Sequence, residues 1–397
     1  RQTVSRETRL RVEAIEQIDA RVREGLFAFL SRAGGERGAC VEHDPRWLDV
    51  FRGALGHRPI VLIARDDDGD IIGYLPLAFV ASRLFGRFLV SLPYLNRAGV
   101  VAMQPEVSQS LIDHAVALAD DLNVDYLELR HTEPVEHDAF NFQRDEKVRM
   151  VLALPEGDET ASDDDALGGC KALWDFHKAK VRNQIRRAHE HGLSMHWGGR
   201  DLLDDFYSVF AVNMRDLGTP VYGRKLFARI VDTFTAPGSR PPRVLAVQGT
   251  PERGAAPDVL AEFGVVRHAG RPIAGALLVH DRSGQRMTQG PAASTLRAFN
   301  HTNANMWMYH HLLARAVHQG SRKFDFGRSS VDSGTYRFKK QWRAEPSPTV
   351  GQYHIRQGDV SRMRPDSQKN QRRIAVWKRL PVWLTRMIGP TIVRGIP

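Results

Sequence analysis

Ile71-Ile-Gly-Tyr-Leu-Pro-Leu77 and Pro272-Ile-Ala-Gly-Ala-Leu-Leu278 carry the same pattern, Ile-x-Gly-x-Leu, two hundred residues apart. Each follows a matching apolar run, Pro59-Ile-Val-Leu-Ile-Ala64 in one copy and Ala261-Glu-Phe-Gly-Val-Val266 in the other. The pairs are joined by Asp66-Asp-Asp-Gly-Asp70 and His268-Ala-Gly-Arg271, the turn chemistry of hairpins. A further strand is predicted after each hairpin, Phe88 to Leu92 and Gln285 to Gln289, and then a helix, Ser110 to Leu122 and Asn305 to Gly320. Each helix leads into a strand closing on arginine: Tyr126-Leu-Glu-Leu-Arg130 and Phe324-Asp-Phe-Gly-Arg328. Such a repeat in register predicts a duplicated unit.

Hairpin, strand, helix, strand is the core order of the GNAT acyltransferase fold. The expected class is therefore α/β (α+β): two tandem GNAT-like domains, each a mixed twisted sheet flanked by helices. We expect an N-terminal helical segment at 1–30, a first domain at 31–155 and an acidic linker at 156–170. A second domain at 171–355 and a basic amphipathic helical tail at 356–397 complete the division. Leu202 to Leu217 is predicted helical, broken by Gly218 and Pro220, and 250–258 is read as a loop insertion. The helix after the linker is rich in lysine and arginine, which fits either a solvated face or contact with phosphates.

Composition narrows the classes. The chain has 397 residues, 42% hydrophobic and 26% charged, long enough for more than one core and too apolar for disorder. No apolar run has a membrane-spanning length, and the polar start reads as lacking a secretory signal. The two cysteines, Cys40 and Cys170, lack metal-ligand or disulfide spacing, so no metal is expected and a reducing cytoplasm suits them. A net charge of +10 suits anionic partners.

The candidate site lies where Arg322 to Pro348 leaves the last strand: Asp325, Arg328 and Ser329 at its tip, then a polar loop carrying Tyr336, Phe338, Lys339, Lys340 and Trp342. Charges set beside aromatics on such a loop suit an anionic or activated substrate in a partly dry cleft. Asp325 and Arg328 can equally close the strand tip as an internal ion pair. Arg215 and Tyr222 stand at a helix end, where sites tend to form. CoA-binding GNAT loops present backbone N–H groups to the pyrophosphate. Here Gln289-Gly-Pro-Ala-Ala-Ser294 and Pro93-Tyr-Leu-Asn-Arg-Ala-Gly99 lack that pattern, and Pro291 removes a donor.

Taken together, these motifs resemble the FemAB/FemX family of aminoacyl or peptidyl transferases, most of all its exosortase (PEP-CTERM) system-associated members. The resemblance rests on Leu75-Pro-Leu77, Leu84-Phe-Gly86, Ser91-Leu-Pro93, Asn213-Met-Arg-Asp-Leu-Gly-Thr-Pro220, Phe324-Asp-Phe-Gly-Arg-Ser329, Phe338-Lys-Lys340 with Trp342, Glu345-Pro346, Trp377-Lys-Arg-Leu-Pro381 and Gly389-Pro390. It implies transfer of an acyl or aminoacyl group onto an amine or hydroxyl of a cell-envelope or exopolysaccharide intermediate, without a resident cofactor. Acyl-CoA or aminoacyl-tRNA would serve as donor. It also implies Lys339 as the residue offsetting oxyanion charge and Asp325 as the group handling the amine proton. Arg343 stands where the subgroup has glycine, and Arg328-Ser-Ser-Val-Asp-Ser-Gly334 departs from its usual loop.

The alternatives are a CoA-dependent N-acyltransferase and a non-catalytic scaffold of an exosortase or exopolysaccharide system. DNA is not an expected partner. Residues 368–397 alternate basic with apolar and tryptophan residues. They fit either a helix lying on an anionic membrane, giving a cytoplasmic protein at the inner face of the plasma membrane, or a helix packed on the second domain.

Overall fold

The computed structural model describes residues 10–34, 38–156, 170–234, 258–282, 284–358 and 368–396. Most of the expected acidic linker and of the 250–258 insertion lies outside these residues.

Two sheets organise the chain. The first contains β1 (Arg11–Ile15), β2 (Arg58–Arg65), β3 (Ile71–Ser82), β4 (Gly86–Val90), β5 (Val101–Ala102), β6 (Tyr126–His131) and β7 (Phe142–Arg144). The second contains β8 (Lys147–Ala153), β9 (Leu193–Gly198), β10 (Val259–His268), β11 (Arg271–Asp281), β12 (Met287–Gln289), β13 (Ser294–Thr295), β14 (Lys323–Ser330) and β15 (Glu345–Ser347). A last strand, β16 (Val350–Ile355), returns to the first sheet. Both predicted hairpins form, as β2–β3 and β10–β11. The strands closing on arginine run parallel to their partners, β6 beside β4 and β14 beside β12.

The sheets do not follow the chain. β8 leaves the first unit and pairs antiparallel with β14, while β16 leaves the second and pairs antiparallel with β6. Each half thus donates a strand to the other, and the expected divisions at 31–155 and 171–355 each contain a strand of the opposite sheet. Arg11–Ile15, expected in a helix, is an edge strand antiparallel to β2. Its short alternating pattern suits a half-covered sheet edge better than a helix.

Helices form three layers around the sheets. α1 (Ala20–Arg32) and α2 (Arg46–Leu55) cover one face of the first sheet, and α3 (Pro105–Asp121) the other. α4 (Lys171–Phe176), α5 (Ala179–Glu190) and α8 (Ala304–His318) cover the outer face of the second sheet. α6 (Leu203–Leu217) and α7 (Arg224–Phe234) cover its inner face and meet α1 and α2 in a shared core, where the Trp47 ring packs at a tilt 4.7 Å from Phe234. Gly73 is required by close packing, since a Cβ there would come 2.5 Å from Val107 of α3. α9 (Gly334–Gln341) is a helix where a loop was expected. Ser333 caps it by accepting from the Tyr336 amide at 3.1 Å. α10 (Gln368–Trp377) and α11 (Val382–Val393) form the tail, and α11 packs on α6.

Buried ionisable groups also join the units. Glu42 pairs with Arg97 at 2.8 Å and Arg149 of β8 with Asp325 of β14 at 2.9 Å, all four side chains at most 5% exposed. Arg97 reaches across to Gln285 at 3.0 Å. Burial alone would raise the Glu42 pKa, but Arg97 and Arg149 outweigh it and hold the carboxyl near 2. Burial lowers His43 and His131 to about 4 and His177 to about 3.

The direction with pH follows. Below about 6.5 the unfolded chain takes up protons on these histidines that the folded chain refuses, so stability falls as pH drops. Below 4.5 the unfolded Glu42 also protonates while the folded one does not, and stability falls further. We expect the melting temperature to fall by about 10 °C between about pH 7 and about pH 5, read by scanning fluorimetry. A flat profile would remove the buried neutral histidines.

Candidate active site

The tip of β14 is shaped by a bulge. Its pairing with β8 shifts between Asp325 and Arg328, where Gly327 adopts φ +79°, a left-handed backbone that favours glycine. Asp325 is fully committed there: Oδ2 accepts from Arg149 and Oδ1 accepts from the Gly327 amide at 2.8 Å. Lys339 of α9 braces the same bulge, its Nζ donating to the Gly327 and Arg328 carbonyls at 3.0 and 3.1 Å. Burial lowers its pKa to about 8, against the opposing pull of Asp325.

The bulge turns Arg328 into a cleft of about 1440 Å³ between the two units. The floor comes from β4, β6, β7 and the exchanged strand β16: Phe88, Tyr126, Glu128, Arg130, Arg144 and Tyr353. The tail contributes an apolar wall of Ile374, Val376, Trp377, Leu380, Ile392 and Ile396. Glu128 and Arg130 form a buried two-bond ion pair at 2.8 and 3.0 Å, and Arg130 also donates to the Leu95 carbonyl. Arg144 is paired with Glu146.

Arg328 is different. Among the described residues its guanidinium has no hydrogen-bond or ion-pair partner. The residue as a whole is exposed to solvent, although protein surrounds its guanidinium on several sides. Burial, and then the charge of Arg130, lowers its pKa. Six cationic and three acidic side chains line the cleft, so its excess charge is positive. An unpaired guanidinium in such a cleft is a receptor for a phosphate or carboxylate.

The remaining expected site residues are not gathered here. Trp342 is 1% exposed and lies in the core of the second unit, edge-on to His177. Lys340 pairs with Glu345 at 2.7 Å, and Tyr336 is partly buried against the same core. Arg215 bonds Asp216 and the Leu380 carbonyl at 3.1 Å, so it anchors the tail. Tyr222 packs edge-on to Tyr94, and burial raises its pKa to about 12, with Arg130 and Arg328 pulling the other way. Asp325 and Arg328 do not pair with each other; Arg149 takes that place for Asp325.

Two buried polar atoms near the parting of β12 and β14, Ser329 Oγ and Gln289 Nε2, have no partner among the described residues. Neither residue lines the cleft. The sequence reading did not single out Glu128, Arg144 and Tyr353. It noted Arg130 only as a strand end.

Residues 253–340 match the model of the acetyltransferase (GNAT) domain, which is less than half of the chain. No curated protein sequence matches it. Among solved structures, FemX superposes with a TM-score of 0.56 at 14% identity, covering 92% of this chain and 100% of FemX. The chain has a tandem GNAT fold. L-PGS from Bacillus licheniformis gives 0.51 at 13% identity, over 94% of this chain and 98% of that one. A conserved protein of unknown function from Bacteroides thetaiotaomicron gives 0.51 at 10%, over 87% and 100%. At these identities the likeness is one of fold. No helix among the described residues is long and apolar enough to cross a membrane.

Proposed function

We propose that this tandem GNAT protein transfers an acyl or aminoacyl group onto an amine or hydroxyl of a phosphate-bearing cell-envelope or exopolysaccharide intermediate, with lipid-linked intermediates included. The observation carrying this reading is the unpaired Arg328 beside the Arg130–Glu128 pair in a cleft between the units. The guanidinium would hold the acceptor's phosphate, and the apolar tail wall would take its hydrocarbon portion. The acceptor's nitrogen or oxygen attacks the donor carbonyl and the donor's C–S or C–O bond breaks. An amide or ester forms, and the acceptor's proton leaves with the departing thiol or hydroxyl. Asp325, with both oxygens engaged, is better suited to holding the strand tip than to taking that proton. Lys339 would act as an ammonium beside the transfer site, shaping the tip and offsetting oxyanion charge.

Because burial places the Lys339 pKa near 8, the cation is present below that pH and lost above it. Transfer is expected to fall by about tenfold as pH rises from about 7 to about 9. Lys339→Arg, which keeps the charge, should move that fall upward wherever it folds. A profile that is level across this range would separate Lys339 from the reaction.

The donor is open to two readings. The match to an acetyltransferase (GNAT) domain favours acyl-CoA, whereas Pro291 removes an amide from the loop that would hold the CoA pyrophosphate. A thermal-shift panel of acetyl-CoA, longer acyl-CoAs and aminoacyl-tRNA, followed by transfer assays with phosphorylated acceptors, decides between them. If no donor and acceptor pair yields product, the transferase reading fails.

A further inference from the structure

α11 is held to the body by one face only. Thr385, Gly389 and Val393 are buried, the Tyr94 hydroxyl donates to the Val393 carbonyl at 3.2 Å, and a Cβ on Gly389 would come 2.9 Å from the Val221 amide. On the opposite face Trp383 and Met387, one turn apart, are 66% and 63% exposed. The β3–β4 turn lies beside the end of this helix, because Gly395 passes against Ser82 and Phe85. That turn presents Leu84, 76% exposed, with Phe85 and Ile396 next to it. Isolated exposed apolar residues are ordinary, but large ones on two distant segments that come into contact are not.

Charge identifies the occupant. Residues 368–397 carry seven lysines and arginines and no aspartate or glutamate. Exposed tryptophan and methionine on a segment of uniformly positive charge match the headgroup region of an anionic bilayer: the apolar tips enter the acyl boundary, and the net charge of the segment draws it to the lipid phosphates. A protein partner would call for a flatter apolar patch with fewer uncompensated charges. Leu84, Phe85, Val376 and Ile396 also rim the cleft, so a bilayer seated here would lie at its mouth.

We propose that the outward face of α11 and the β3–β4 turn form one docking surface for an anionic membrane. The surface stands on exposure and charge and does not depend on what the cleft binds. The test is co-sedimentation of the full chain with vesicles of phosphatidylglycerol and phosphatidylcholine, against vesicles of phosphatidylcholine alone. Wild type is expected to pellet with the anionic vesicles only and to be released by salt. Trp383→Ser/Met387→Ser, and separately Leu84→Ser, should each lower partitioning by about tenfold with unchanged melting temperatures. Met103→Ser serves as control: Met103 is also exposed, but it lies by Ile72 at the far end of β3 from Ser82 and should bind as wild type does.

Failure of wild type to pellet, equal binding to both vesicle types, or undiminished binding by the double variant each overturns the proposal. Transfer to a water-soluble phosphorylated acceptor should be unchanged in Trp383→Ser/Met387→Ser, whereas Arg328→Ala should lose transfer and keep vesicle binding. Failure of the docking surface and failure of the transferase reading are therefore told apart.

Discussion

Arg328→Ala is expected to lower transfer to a phosphate-bearing acceptor by about 100-fold or more, with little change in melting temperature. The size follows from the site. A guanidinium in the lining of a cleft makes charge-assisted hydrogen bonds to phosphate that are stronger than neutral ones. Among the described residues no carboxylate is paired with it, since Glu128 is taken by Arg130 and Glu146 by Arg144. Removing Arg328 should also relieve the repulsion from Arg130, so the folded protein loses little. Arg328→Lys should recover only part of the rate, because a point charge cannot reproduce the planar fork. Steady-state kinetics with an acceptor and its dephosphorylated analogue checks this. Wild type should prefer the phosphorylated form, and Arg328→Ala should show no preference. Equal loss on both acceptors would place Arg328 outside phosphate recognition.

Arg149→Met is expected to destabilise the protein by about 3–5 kcal/mol, because it strands Asp325 in the core without its partner. The pair spans the two units, from β8 to the bulge of β14, and both side chains are under 5% exposed. Chemical denaturation of the single variant and of Arg149→Met/Asp325→Leu measures the effect. The double variant, which removes both charges, should recover much of the loss. If Arg149→Met is as stable as wild type while Asp325→Asn is folded and inactive, Asp325 belongs to the chemistry and not to the frame.

Much of the fold was legible because the duplicated hairpin, strand and helix are local patterns whose periods and turns lie within short windows. The exchange of β8 and β16 was not legible. The alternation of Val148, Met150 and Leu152 would suit a strand of either sheet, and nothing in their spacing names the partner. The site shows the same divide. Phe324 to Ser329 was recognisable as a strand tip, but which charge would stay free was settled by distant residues: Arg149, from the other half, occupies Asp325, and Arg130 faces Arg328. One signal was available and unused. The repeat places an arginine at the end of both equivalent strands, and these two arginines meet in the cleft. Trp342 looked like part of a substrate wall because aromatics beside lysines suit one. In fact α9 turns it inward, one residue beyond the helix, onto His177 and Tyr309.

The reciprocal strand exchange has a consequence for how the chain is made. β6 is buried along its whole length in the finished protein, yet its neighbour β16 lies at Val350–Ile355. At about 5–20 residues per second, the ribosome needs roughly ten to forty-five seconds to go from one to the other. For that interval the first half carries an open, apolar strand edge, a template for wrong partners. A truncated first half would carry it permanently, so the first sheet is expected to be completed only once Val350–Ile355 has left the ribosome.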